Sequence, residues 1–198
     1  MRVPFASGPL VLLDDARPMG ADARLYQNPI EILTTTEPAA VPDLLAKIGK
    51  GGHWAGFLSY EAGLALEPKL AATAKADGQP LLWFARFDGF ETIQKDVLDD
   101  WLPNPAGAWA GPPRPRWTQQ DYAVAFDQVQ ALIRSGDIYQ ANLTLRADVP
   151  LMGDPLALYA GLRRRAAAGY GAVIWTGADV ILSLSPELFF TLKDGKIT

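Results

Sequence analysis

Several features that common functions depend on are missing from this sequence. It has no cysteine, which removes a disulfide framework, a thiolate metal site and a cysteine nucleophile together. It has one histidine, His53; with no second His or Cys to share a metal ion, packing beside Trp54 is its expected role. No apolar run approaches the roughly 20 residues of a membrane-spanning helix. The opening stretch MRVPFASGPLVLLDDARPMG has an early Arg and an apolar run of strand length, without the longer hydrophobic region and cleavage site of a secretory leader. A soluble, cytoplasmic protein with no membrane partner is expected. The net charge is −4 and no basic block is long enough to follow a phosphate backbone, so nucleic acid is not an expected partner. The run Arg163-Arg164-Arg165 reads as the solvated last turns of a helix, where cations suit the dipole. GxGxxG, Walker A and GxSxG patterns are missing too, leaving the common nucleotide and hydrolase templates without a foothold.

What is present is a chain of 198 residues, 49% hydrophobic, with six Trp, six Tyr and eight Phe, enough to fill a sizeable core. Strands are expected at Pro9–Leu13, Ile30–Thr36, His53 onward and Leu81–Asp88, the last apolar enough for burial on both faces. A short helix is expected over Pro42–Ile48. From Pro103 to Pro115 the composition shifts to PNPAGAWAGPPRP, with five Pro and no periodicity, which marks a linker. This divides the chain into an amino-terminal region (1–102), a linker (103–116) and a second region (117–198).

Thr118-Gln119-Gln120-Asp121 resembles a capping box opening a helix that runs to about Ser135. Tyr122, Phe126, Val129 and Ile133 lie on one face of it, and Gly136 stands at the C′ position. A strand is expected at once, over Ile138–Val149. Asp154-Pro155 opens another helix with Leu156, Tyr159 and Leu162 inward. A hairpin is expected next, over Ala172–Thr176 and Val180–Leu184, and Lys193-Asp194-Gly195-Lys196 is a further turn. Strands joined by short turns, with few helices, predict an α+β fold with antiparallel sheets.

Two stretches carry polar groups that core strands do not need. In IRSGDIYQANLTLR (Ile133–Arg146), Gln140, Asn142, Thr144 and Arg146 alternate with Tyr139, Ala141, Leu143 and Leu145. In SLSPELFF (Ser183–Phe190), Glu187 follows Pro186 and precedes three apolar residues. Desolvation in such company raises a carboxyl pKa, which suits a general acid. Taken alone, Glu187 is a strand-edge carboxylate in solvent and Gln140 an ordinary exposed amide.

Together these stretches resemble the chorismate-utilising enzymes, in particular the aminodeoxychorismate synthase component I branch, whose members carry GDIYQ-x-NLT-x-R followed by SPE-x-F. Gly56-Phe57-Leu58-Ser59-Tyr60-Glu61-Ala62 is similar to a further segment of that family. The resemblance implies two large, mainly antiparallel sheets packed face to face with helices outside. It implies displacement of the ring hydroxyl of chorismate by ammonia from a partner glutaminase, with Mg²⁺ as cofactor, in 4-aminobenzoate (folate) biosynthesis.

On the resemblance, Glu187 is the general acid, and Gln140 and Asn142 line the site. A Lys at the position of Gln140 serves as base on water in the isochorismate and salicylate branch; an amide cannot accept that proton, though it can orient a ligand. Asp137 and Tyr139 fall in the motif as well, with helix termination and core packing as their ordinary roles. Anthranilate synthase component I is the close alternative. That branch has Val where this chain has Asn142, and it forms a tryptophan pocket from LLES and NPSPY elements. Here these correspond to Leu12-Leu13-Asp14-Asp15 and to the stretch ending at Gly169-Tyr170, so tight tryptophan inhibition is not expected. The family's PIKGT segment, with its proposed nucleophilic Lys, and the Mg²⁺ ligands are expected beyond Thr198, with no metal site in this chain. On that ground the 198 residues alone are expected to be inactive. A truncated homologue that docks a glutaminase is the non-catalytic alternative.

Overall fold

Alternating apolar residues and short turns build most of the molecule. The computed structural model describes residues 8–70, 73 and 78–198; the first seven residues, read above for a leader, lie outside that range. The chain divides into two compact units, Met1–Pro105 with Pro155–Thr198, and Ala106–Asp154. The structure thus corrects the serial division into 1–102 and 117–198, because the chain returns to the first unit at Pro155.

The first unit begins with β1 (Leu10–Asp14), β2 (Ala23–Gln27), β3 (Glu31–Thr35), α1 (Val41–Ile48), β4 (His53–Leu58), α2 (Ala62–Leu66), β5 (Leu82–Phe87), β6 (Glu91–Ile93) and α3 (Lys95–Trp101). The second unit holds β7 (Ala108–Ala110), β8 (Arg114–Pro115), α4 (Gln119–Ser135), β9 (Ala147–Asp148) and β10 (Leu151–Gly153). The first unit resumes with α5 (Pro155–Ala166), β11 (Tyr170–Trp175), β12 (Val180–Ser185), β13 (Leu192–Lys193) and β14 (Lys196–Ile197).

In the first unit, five antiparallel strands pair in the order β12-β11-β1-β2-β6, and three more in the order β3-β5-β4. Period-2 alternation decides which side chain enters which layer. On β1, Leu10 and Leu12 join Leu98 of α3 and Leu156, Tyr159 and Ala160 of α5 in one core. Val11 turns the other way and meets Tyr26, Ile174, Ala55, Trp83, Ala85 and Phe87 between the two sheets. The fold is therefore α+β, with antiparallel sheets face to face and helices outside. Each fully buried Leu contributes about 1.5–3 kcal/mol, and Leu10, Leu12, Leu98 and Leu156 are all in that class. A third, smaller core joins Val41 of α1 and Ala62 of α2 to Leu81. On β5 the inter-sheet face is buried while Phe84 and Arg86 are half-buried, so only Leu82 fulfils the expectation of burial on the second face.

Gly56 of β4 shows why a strand carries a glycine. A Cβ there would lie 2.1 Å from the Trp83 carbonyl oxygen, so backbone fills the place of a side chain.

In the second unit, β7 pairs with β10 and β8 with β9, both antiparallel. The segment 103–116 is thus not the linker its prolines imply. It holds a 3₁₀ turn at Pro105–Gly107 and two short strands, because the residues between the prolines keep their ladder groups. Helix α4 forms as the capping box predicts. Thr118 Oγ1 accepts from the Asp121 N–H (3.2 Å), and the Asp121 carboxylate accepts from the Thr118 N–H (3.0 Å). Gly136 closes the helix in the left-handed region, at φ 81°.

The expected strand over Ile138–Val149 does not form. Ile138–Arg146 is irregular, and only Ala147–Asp148 pairs. A strand needs a ladder for its backbone groups, and among the described residues no strand pairs with 138–146. Tyr122 and Phe126 stack on each other at 6.3 Å, yet no residue of α4 is fully buried.

Candidate functional site

Glu187 is placed by the end of β12. The ladder to β11 closes at the pair Tyr170↔Ser185, and Pro186, which has no N–H, cannot extend it. The Ser185 hydroxyl then donates to the Glu187 carbonyl (2.9 Å) and accepts from the Glu187 N–H (3.3 Å). The Glu187 side chain itself is exposed, and Phe189 behind it is 95% exposed. This corrects the expectation of a strand through Phe190 that buries the carboxylate. β12 is the edge of its sheet, and Pro186–Phe190 beyond it are exposed.

Gln140 and Asn142 follow the left-handed turn at Gly136, on the irregular segment of the second unit. Both are exposed, as is Tyr139 at 91%, which leaves Tyr139 outside any core. Near them, the Arg116 N–H donates to the Arg146 carbonyl (2.8 Å) and the Arg116 guanidinium pairs with Asp148 (2.6 Å). The Arg116 side-chain hydrogen bonds, with its charge, hold the Asp148 carboxyl below its ordinary value. Arg116, Trp117, Thr144, Leu145 and Arg146 line a cavity of about 330 Å³. Gln140 and Asn142 therefore share one segment, while Glu187 belongs to the other unit.

The most ordered polar constellation is one the sequence does not announce. Asp14, at the end of β1, faces the same side as Leu10 and Leu12 and is buried beneath α5. Its carboxylate accepts from Tyr159 Oη (3.0 Å), Arg163 Nε (2.6 Å) and Arg163 Nη2 (3.3 Å). Arg163 Nη1 also donates to Asp99 (2.8 Å). Burial opposes the charge on Arg163, and the Asp14 bonds and charge outweigh it, so the guanidinium pKa is raised. Burial, reinforced by the adjacent Asp14 carboxylate, pushes the Tyr159 hydroxyl far above its ordinary value. Gly171 permits this packing, since a Cβ there would stand 2.4 Å from Tyr159 Oη.

Arg163 is accordingly not a solvated member of its triplet, and Leu162, expected inward, is exposed. The inward stripe is 156, 159, 160 and 163, the i, i+3, i+4, i+7 pattern. An acidic residue closing an apolar strand and an Arg on an apolar stripe were the available signals.

Beside this network lies a cavity of about 410 Å³, lined by Leu13, Asp14, Asp15, Ala21, Asp22, Arg24 and the segment Gly169–Ala172. The stretches Leu12–Asp15 and Gly169-Tyr170 thus meet here, as their resemblance to LLES and NPSPY implies. Asp15 is already engaged. Arg17 Nε and Nη2 donate to it at 2.8 and 2.6 Å, and the Arg17 and Ala21 N–H groups at 3.2 and 3.3 Å. The Arg17 side-chain bonds, more than any other cause, hold this carboxyl well below the usual carboxylate range. The Arg17 guanidinium carbon lies 5.5 Å from the Tyr170 ring centroid, and a Cβ at Gly169 would meet Arg17 Nε at 2.7 Å.

Among the described residues, no group of three His, Asp or Glu side chains is arranged to hold a metal ion. No helix among the described residues is long and apolar enough to cross a membrane.

Antiparallel sheets face to face, helices outside and the two motif-bearing segments define the class of a chorismate-enzyme sandwich. A family model described as chorismate binding enzyme matches residues 19–198, and the chain belongs to that family. Aminodeoxychorismate synthase component 1 of Salmonella typhimurium is 40% identical over 80 residues, covering 40% of this chain and 18% of that protein. The Klebsiella aerogenes protein of the same name is 37% identical over 84 residues, covering 42% and 19%. Anthranilate synthase component 1 of Thermus thermophilus is 37% identical over 71 residues, covering 36% and 15%. The matched stretch therefore spans less than a fifth of each of these relatives.

Proposed function

We propose that this chain is part of an aminodeoxychorismate synthase component I. The enzyme aminates chorismate with ammonia from a glutamine amidotransferase subunit to give 4-amino-4-deoxychorismate, in the cytoplasm, for 4-aminobenzoate and folate synthesis. The observation that carries it is the pair of segments around Gln140-Ala141-Asn142 and Ser185-Pro186-Glu187, inside a region matched by the chorismate binding enzyme family.

A ring hydroxyl leaves poorly as hydroxide, so the reaction needs a proton at the departing oxygen. Glu187 is the proposed donor, exposed at the end of β12 where a ligand can reach it. Gln140, an amide, can orient a bound group through its donor and acceptor but cannot deprotonate water, which favours amine transfer over water addition. Asn142, two residues on, lines the same segment. Mg²⁺, when bound, would supply positive charge for the substrate's carboxylates.

Anthranilate synthase component I is the second reading, favoured by relatives of that name. Against it stands Asp15, which lines the cavity beside Tyr170 with a carboxylate already engaged by Arg17. We infer no tight tryptophan binding there.

The deciding experiment supplies chorismate, excess ammonia and Mg²⁺ to the 198-residue chain and to the protein expressed from its complete native reading frame. Formation of 4-amino-4-deoxychorismate by the native reading frame alone is the expected result. Anthranilate as product would move the protein to the second reading. Amination by the 198 residues alone would contradict the need for residues outside them, and no product from either would favour a glutaminase-docking role.

A further inference from the structure

Pro186 and the hydroxyl of Ser185 together fix the backbone of Glu187, whose side chain is otherwise unconstrained by burial. We propose that Ser185 is a positioning residue for Glu187, which rests on the amination reading given above. A serine hydroxyl has one proton to give and lone pairs to accept with. Here the proton goes to the Glu187 carbonyl (2.9 Å), and a lone pair takes the Glu187 N–H (3.3 Å). One hydroxyl thus holds both main-chain polar groups of a single residue.

Three further features make the clasp directional. Ser185 is anchored on the strand side by its register with Tyr170. Pro186 between the two residues has φ locked near −65° by its ring. Beyond Glu187, the residues Leu188–Phe190 are exposed and belong to no strand, so the next ladder begins only at Leu192 of β13. The direction of the Glu187 Cα–Cβ bond therefore depends on Ser185. A proton donor must meet the departing oxygen within hydrogen-bond reach, and a misplacement of about 1 Å can cost about a hundredfold in rate.

The test compares Ser185→Ala, Ser185→Thr and Glu187→Gln in the protein expressed from its complete native reading frame, supplied with chorismate, ammonia and Mg²⁺. Ser185→Ala removes both bonds and is expected to lower kcat about tenfold with KM changed less than about twofold, since the loss falls on the transition state rather than on binding. Ser185→Thr keeps the hydroxyl and is expected to recover kcat to within about threefold of the parent, which a purely structural serine would not require. Glu187→Gln is expected to abolish turnover. Parent-level kcat in Ser185→Ala, a change confined to KM, or a Thr variant no better than Ala would each overturn the proposal while leaving the amination reading intact. Failure of the unsubstituted protein to aminate chorismate would instead overturn the reading and the proposal with it.

Discussion

The interior of the first unit and the two motif segments handle polar groups in opposite ways. Under α5, Asp14 and Arg163 are each about 6% exposed, and every buried side-chain nitrogen and oxygen among the described residues has a partner. Around Gln140, Asn142 and Glu187 the side chains face solvent, and order comes from main-chain devices: a left-handed glycine, a proline and a serine hydroxyl. A buried charge must be partnered by the fold itself, because desolvation costs several kcal/mol per ion. A group meant for a ligand can stay open until the ligand arrives. The chain thus keeps structural charge and candidate chemistry in different places.

The sharpest way to break that contrast is to unpair the buried network. Arg163→Met leaves the buried Asp14 carboxyl without its main partner, and is expected to cost about 3–5 kcal/mol of unfolding free energy in urea titrations. Arg165→Ala, on an exposed neighbour, is expected to stay within about 0.5 kcal/mol. Equal effects would mean that Arg163 is as solvated as the triplet alone suggests. Next in size, Gly171→Ala drives a methyl against Tyr159 Oη and is expected to cost about 1–3 kcal/mol. Gly171→Ala combined with Tyr159→Phe should lose less than the sum of the two single changes, because the atom in the way is gone.

In the second unit, Gly136→Ala forces a Cβ into the left-handed region and is expected to cost about 1–2 kcal/mol. Gln140→Ala and Asn142→Ala, by contrast, are expected to leave the melting temperature nearly unchanged while lowering the proposed amination of chorismate. Smallest is the helix cap. Its Thr118 hydrogen bonds hold the Asp121 carboxyl below its ordinary value of 3.8. A depressed folded-state pKa gives stability that is present above the unfolded value and lost as pH falls through the folded one. The gap between the parent and Thr118→Ala should therefore be full at neutral pH and shrink below about pH 3.8, as followed by thermal melts.

Much of the fold was legible because local signals and tertiary needs agree there. Leu10–Asp14, Glu31–Thr35 and His53–Leu58 are strands by composition and in fact, and Thr118 and Gly136 bracket α4 as their chemistry predicts. The features that were not legible depend on neighbours. The alternation in Ile138–Arg146 is that of a strand, but a strand needs a paired ladder and, among the described residues, no strand pairs with it. The Arg163 charge looked solvated until Asp14, 149 residues away in sequence, was brought beneath it. Leu162 is apolar yet exposed, while Arg163 takes the inward position because Asp14 partners it there. At the candidate site, residue types were legible and their setting was not: the apolar neighbours of Glu187 are exposed with it. The prolines of 103–116 concealed strands β7 and β8, since proline content reports the missing donors and not the ladder groups left between them.

Amide hydrogen exchange on this chain tests the central contrast most directly. Protection is expected to be highest along Leu10–Asp14 and Tyr170–Trp175, in the middle of the five-stranded sheet, and close to absent over Ile138–Arg146 and Glu187–Phe190. Comparable protection in the motif segments would contradict the account, since it would mean that the residues assigned to chemistry are folded into a core of their own.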